Sequence, residues 1–135
     1  MQFDTKIAVV VRENLPTWQK LNVTAFTVSG IASLPDVLGE NYVDGSGRTY
    51  LPMIRQPIMI FAGSAEQIRA VYDSAVGTDA AFSIYTAELF STPHDEANRA
   101  AVKARRSEEL DLVGLALRGR KKLLDKVLQG LRLHS

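Results

Sequence analysis

The chain lacks cysteine altogether and has one tryptophan, two histidines and five prolines in 135 residues. Absence of cysteine excludes disulfides, thiol catalysis and zinc–thiolate sites, although it does not by itself assign a compartment. The histidines, His94 and His134, lie too far apart in sequence to suggest a metal pair, so no metal and no cofactor is expected. His94 reads as a helix-start residue and His134 as part of a frayed terminus. No apolar run approaches the roughly 20 residues that span a bilayer, which argues against a membrane partner. Met1-Gln2-Phe3-Asp4-Thr5-Lys6 has no basic region leading into an apolar core, so no signal peptide is read and a cytoplasmic location is the default. Missing too are a Walker loop, a dinucleotide-binding glycine fingerprint and a glycine-flanked nucleophilic serine. Charge of one sign is also scarce. The net charge is +1, which argues against a strong electrostatic nucleic-acid binder.

What is present suits one domain over 1–135, with 46% apolar and 23% charged residues. Lys6–Arg12 is a β-branched, nearly continuous apolar run, the pattern of a strand covered on both faces. Asn14 and Pro16 suit the start of a helix, with Trp18, Leu21, Ala25, Val28 and Ala32 as its apolar face. Leu34–Leu38 suggests a short helix ended by Gly39, and Asp44-Gly45-Ser46-Gly47 a hairpin turn. A strand is expected at Ile58–Ala62, then a helix opened by the Ser64/Gln67 capping box and packed through Ile68, Val71, Tyr72 and Ala75. A third strand follows at Ala81–Thr86. Thr92-Pro93 then opens a helix that ends at the basic Lys103–Arg106 segment. Leu112–Leu117 is a fourth strand, Gly119 a turn, and Leu123, Leu124, Val127, Leu128 and Leu131 line a last helix. The alternation places helices on both faces of one sheet, with the first three main strands as parallel neighbours.

Charge is unevenly distributed. Residues 118–135 hold six cations against one acid, a balance of +5, and the other 117 residues sum to −4. Arg118, Gly119, Arg120, Lys121 and Lys122 crowd the start of the last helix, where cations oppose the helix dipole and an anion would relieve it. The competing reading is a solvated charged face. A second polar cluster is expected beyond the carboxyl ends of the strands, where open α/β sheets bind ligands. It comprises Lys20, Asn22, Thr86 and Glu88, with Asn14 at the same edge.

Leu15-Pro16 before Asn22, the Asp44–Gly47 hairpin and Gly114-Leu115-Ala116-Leu117-Arg118-Gly119-Arg120-Lys121-Lys122 resemble the bacterial "domain of unknown function 2000" family. That family is similar in fold to the type II peptidyl-tRNA hydrolases. The resemblance therefore implies a single three-layer α/β/α domain with a four-stranded mixed sheet. Type II hydrolases use a lysine at the first helix, to which Lys20 matches. They also use an aspartate–alanine–glycine segment with a following threonine, where this chain has Tyr85-Thr86-Ala87-Glu88-Leu89-Phe90. Two functions follow as expectations. The first is a module binding a small anionic molecule, through Asn14 and Asn22 or through Arg118–Lys122. The alternative is a hydrolase of peptidyl-tRNA or a related acyl ester, with Lys20, Thr86 and Glu88 as its catalytic set and tRNA as partner. An exposed apolar edge would allow a homodimer.

Overall fold

The computed structural model describes residues 3–135. Met1 and Gln2, which begin the segment read as free of a signal peptide, lie outside them. Seven strands and four α-helices follow one another as β1 (Thr5–Arg12), α1 (Thr17–Ala32), β2 (Tyr42–Val43), β3 (Thr49–Tyr50), β4 (Ile58–Gly63), α2 (Ala65–Ala75), β5 (Ala81–Thr86), α3 (Asp95–Lys103), β6 (Leu112–Arg120), α4 (Lys121–Val127) and β7 (Arg132–Leu133). No helix among the described residues is long and apolar enough to cross a membrane.

The main sheet is mixed and five-stranded, in the order β5-β6-β1-β4-β7, where four strands were expected. The fifth is β7, whose two residues pair antiparallel with Phe61 and Ala62 on β4. A two-residue edge strand is too short to leave any periodicity in a sequence. β1 and β4 are parallel neighbours, as expected. β5 is not their neighbour, because β6 enters between β5 and β1 and runs antiparallel to both. Three codirectional strands linked by helices are compatible with either order, and only the tertiary position of β6 decides it.

Alternating residues of β1 feed two cores. Ala8 and Val10 face α2 and α4, packing with Ile68, Val71, Leu115, Leu117 and Leu124. Ile7, Val9 and Val11 face the other way and pack with Val23, Ile31, Tyr85 and Val113. This two-sided burial is what the continuous β1 run dictates.

The structure revises five local expectations. Helix α1 buries Val23, Thr27 and Ile31 instead of the Trp18, Leu21, Ala25, Val28 and Ala32 stripe. Thr27 can enter the core because its hydroxyl donates to the Val23 carbonyl at 2.7 Å, which satisfies the polar group. Asn14 does not cap α1; Pro16 occupies the N-cap position, and its carbonyl accepts from the Gln19 and Lys20 N–H groups. Leu34–Leu38 forms no helix: Asp36 has a φ of 62°, outside the helical region, and Leu38 bridges to Ile54. Helix α3 is capped by His94, whose Nδ1 accepts from the Ala97 N–H at 3.1 Å, while the Thr92 hydroxyl bonds to the Leu89 carbonyl and the Asn98 side chain. Gly119 is not a turn residue but lies within β6, opposite Lys6. A Cβ there would come within 2.7 Å of Leu124 Cδ1, so glycine allows α4 to fold back against its own strand.

Candidate functional site

Helix α1 begins at the carboxyl end of β1 and crosses the sheet, so its two flanks look onto different strands. Lys20 and Thr24 flank the buried stripe on the side of β1, β4 and β7. There a cavity of about 320 Å³ is lined by Val11, Thr17, Lys20, Leu21, Thr24, Ile60 and His134. Trp18 and Phe26 flank the stripe on the opposite side. The Trp18 ring stacks edge-on against Phe90 with centroids 5.9 Å apart, and Phe26 lies 6.0 Å from Tyr85. Burial pushes the Tyr85 phenol above its ordinary pKa, because the phenolate would be poorly solvated there.

The Lys20 cavity owes one wall to the end of the chain. The His134 N–H donates to the Ile60 carbonyl at 2.8 Å, which continues the β4–β7 ladder past Leu133. Instead of fraying, His134 is thus placed with its Nε2 3.1 Å from the Lys20 ammonium. An ammonium can only donate, so Nε2 is the acceptor and Nδ1 carries the hydrogen. That tautomer agrees with the 2.9 Å contact of Nδ1 to a main-chain oxygen of Ser135, where the nitrogen must donate. The Thr24 hydroxyl donates to the Lys20 carbonyl at 2.8 Å and keeps its lone pairs for another donor. None of the seven lining residues is acidic, so the positive charge of Lys20 has no carboxylate partner within the cavity wall.

The other residues expected beyond the strand ends do not join Lys20. Thr86 lies at a register irregularity in the β5–β6 ladder, and its hydroxyl is buried with no hydrogen-bond partner among the described residues. Glu88 belongs to a short 3-10 helix, Ala87–Ser91, and its carboxylate lies 3.8 Å from Arg105 Nε. No hydrogen bond or ion pair among the described residues links Lys20, Thr86 and Glu88. Asn14 is exposed in the β1–α1 loop. Asn22 is turned about 200° around α1 from Lys20 and does not line the cavity.

At the opposite end of the sheet, Arg120, Lys121 and Lys122 line a surface depression of about 680 Å³ with Asp4, Thr78, Asp79 and Leu123. Two acidic residues thus share the depression with the cations, and one of them is paired. Asp79 takes a hydrogen bond from the Arg120 guanidinium at 3.1 Å, and the Lys121 N–H donates to the Asp4 carbonyl at 3.2 Å. Helix α4 is only seven residues long, which limits its dipole. Arg118 and Gly119 line a smaller cleft with Thr5 and Pro35, where the Arg118 Nε is buried and unpartnered among the described residues. No group of three or more histidine, aspartate or glutamate side chains among the described residues is placed to hold a metal ion.

A family model described as "Protein of unknown function (DUF2000)" matches residues 5–135. The chain belongs to the DUF2000 family. No curated protein matches it. Among solved structures, the protein of unknown function Atu0240 from Agrobacterium tumefaciens strain C58 is similar, with 43% sequence identity and a TM-score of 0.94. The alignment covers 99% of this chain and 100% of that one. Both descriptions leave activity open, and neither names a peptidyl-tRNA hydrolase. The Lys20–His134 pairing was not legible as a site in the sequence. Its only signal was a histidine close to an apolar Leu131-Arg132-Leu133 alternation.

Proposed function

We propose that this DUF2000 protein binds a small molecule carrying an anionic head, a carboxylate for example, on an apolar body, in the cavity beside Lys20. The observation that carries this reading is the composition of the wall. One ammonium and one imidazole stand among Val11, Leu21 and Ile60, and none of the lining side chains is a carboxylate. Ligand sites combine apolar walls with a few convergent polar groups, and their volumes run from about 300 to 1,000 Å³. The cavity lies over the parallel strands β1 and β4, reaching the carboxyl end of β1 at Val11, the edge that α/β sheets use for ligands. Between the two anion sites expected from the sequence, the strand edge is favoured over the basic end because the Asp79 carboxylate already pairs with Arg120 there. Ligand binding is favoured over acyl-ester hydrolysis because Lys20 stands on one flank of α1, whereas Glu88 is engaged by Arg105 and is not part of the cavity wall.

Titration calorimetry with hexanoate and its neutral counterpart hexanol tests the reading. Binding of the carboxylate and not the alcohol is expected, with loss in Lys20→Met, which keeps the length of the side chain and removes its charge. Equal binding of the two compounds, or undiminished hexanoate binding by Lys20→Met, would contradict it.

A further inference from the structure

The β2–β3 hairpin is the least covered part of the chain, with every residue from 40 to 51 exposed. It has two strands joined by only two residue pairs, where β structure needs three or more strands or a covering helix for independent stability in water. The hairpin is nevertheless tightly organised. Asp44 accepts from the Ser46 and Arg48 N–H groups at 2.9 and 3.0 Å and from the Tyr50 hydroxyl at 2.7 Å. This ordered arm holds Tyr42, Val43, Tyr50, Leu51 and Met53 in solvent, with Leu51 84% exposed. A second uncovered apolar surface lies on the outer side of α1, where Trp18 and Phe26 are 57% and 55% exposed and Leu21, 65% exposed at the rim of the Lys20 cavity, continues it.

We propose that the arm docks on the outer side of α1 of a second copy of this chain, reciprocally, about a twofold axis. Position supports this pairing. The arm leaves the domain at the amino ends of β1 and β4, whereas Trp18 and Leu21 open α1 at their carboxyl ends. A twofold axis perpendicular to the strands inverts one copy and lays each arm beside the other's Trp18 and Leu21. Area supports it as well. With Tyr42, Val43, Tyr50, Leu51 and Met53 between 49% and 84% exposed, the arm presents an apolar area on the order of 600 Å², the upper end of what a monomer carries as one patch. Adding the α1 surface brings each copy to roughly 900 Å², against about 800 Å² per partner in a stable interface. Charge selects the occupant. From 38 to 55 the arm carries Glu40 and Asp44 against Arg48 and Arg55 and is neutral, which suits a copy of itself better than a polyanion or a charged membrane surface.

Sedimentation of the full chain across the micromolar range tests the proposal, with circular dichroism as the check on folding. The wild-type chain should sediment as a dimer of the 14.8 kDa protein. Leu51→Glu and Leu21→Lys should each sediment as folded monomers. An equimolar mixture of the two should recover dimer, because one native contact and one Glu–Lys contact are then available. A monomeric wild-type chain overturns the proposal, including the case in which the arm holds a different protein. Dimers that survive either single substitution, or a mixture that stays monomeric, overturn the pairing of arm with α1.

Discussion

Gly114 sits in the middle of the fold, and replacing it with alanine is a severe test of how α1 rests on the sheet. The residue lies in β6 opposite Val11 of β1 and Tyr85 of β5. A Cβ at this position would fall 2.3 Å from Val23 Cγ1 and 2.9 Å from the Val10 carbonyl oxygen. Both distances are shorter than real Cβ contacts allow. Val23 is fully buried and Val10 is part of the central strand, so neither can simply turn away. The methyl must lift α1 or bend β1, an overpacking defect that costs about 1–3 kcal/mol, and the backbone contact puts it at the upper end. For a domain of this size about 3 kcal/mol corresponds to a fall in Tm of roughly 10 °C, read by circular dichroism. Val23→Ala removes the closer of the two contacts. The double variant should therefore be more stable than the sum of its singles by about 1 kcal/mol. A Tm within about 2 °C of wild type for Gly114→Ala would refute the packing of α1 against β6 described above.

Ser64→Ala breaks the capping box in which the Ser64 hydroxyl accepts from the Gln67 N–H at 3.1 Å, and should lower stability by about 1 kcal/mol in urea denaturation. Ser83→Ala removes the hydroxyl that donates to the Thr27 carbonyl at 2.7 Å and ties β5 to α1, with an expected loss of about 0.5–1.5 kcal/mol by the same assay. The Tyr50 hydroxyl, followed by the Arg48 and Ser46 N–H groups, holds the Asp44 carboxyl below its ordinary value of 3.8. Because the folded pKa is depressed, the turn is fully supported above the ordinary value and loosens as pH falls through the lower folded one. Side-chain NMR titration should show the Asp44 midpoint below 3.8 and rising in Tyr50→Phe. An unchanged midpoint in that variant would remove Tyr50 from the turn.

The parts of the fold that were legible in the sequence are those fixed by local chemistry. The β-branched Ile7–Val11 run, the Ser64/Gln67 box and the Asp44–Gly47 turn each specify their structure within a few residues. The elements misread depend on distant partners. Thr27 looks polar until its hydroxyl finds the Val23 carbonyl, so the buried stripe of α1 lies to one side of the most apolar one. Gly119 looks like a turn until Leu124 packs against it. The place of β6 between β5 and β1 has no local signature. The candidate site divides in the same way. Lys20 was legible as a cation near the carboxyl end of a strand, but His134 reaches it only because β7 adds to β4. Thr86 ends β5 and Glu88 follows it, and Lys20 faces away from them because residues 18 and 20 project to opposite flanks of one helix.

The binding cavity at Lys20 is the central claim, and amide shift mapping by NMR during titration with hexanoate tests it most directly. The account predicts shifts concentrated at Thr17, Lys20, Thr24 and His134, reduced in Lys20→Met, with residues 119–122 unmoved. Shifts centred on residues 119–122, or no localised shifts at all, would contradict it.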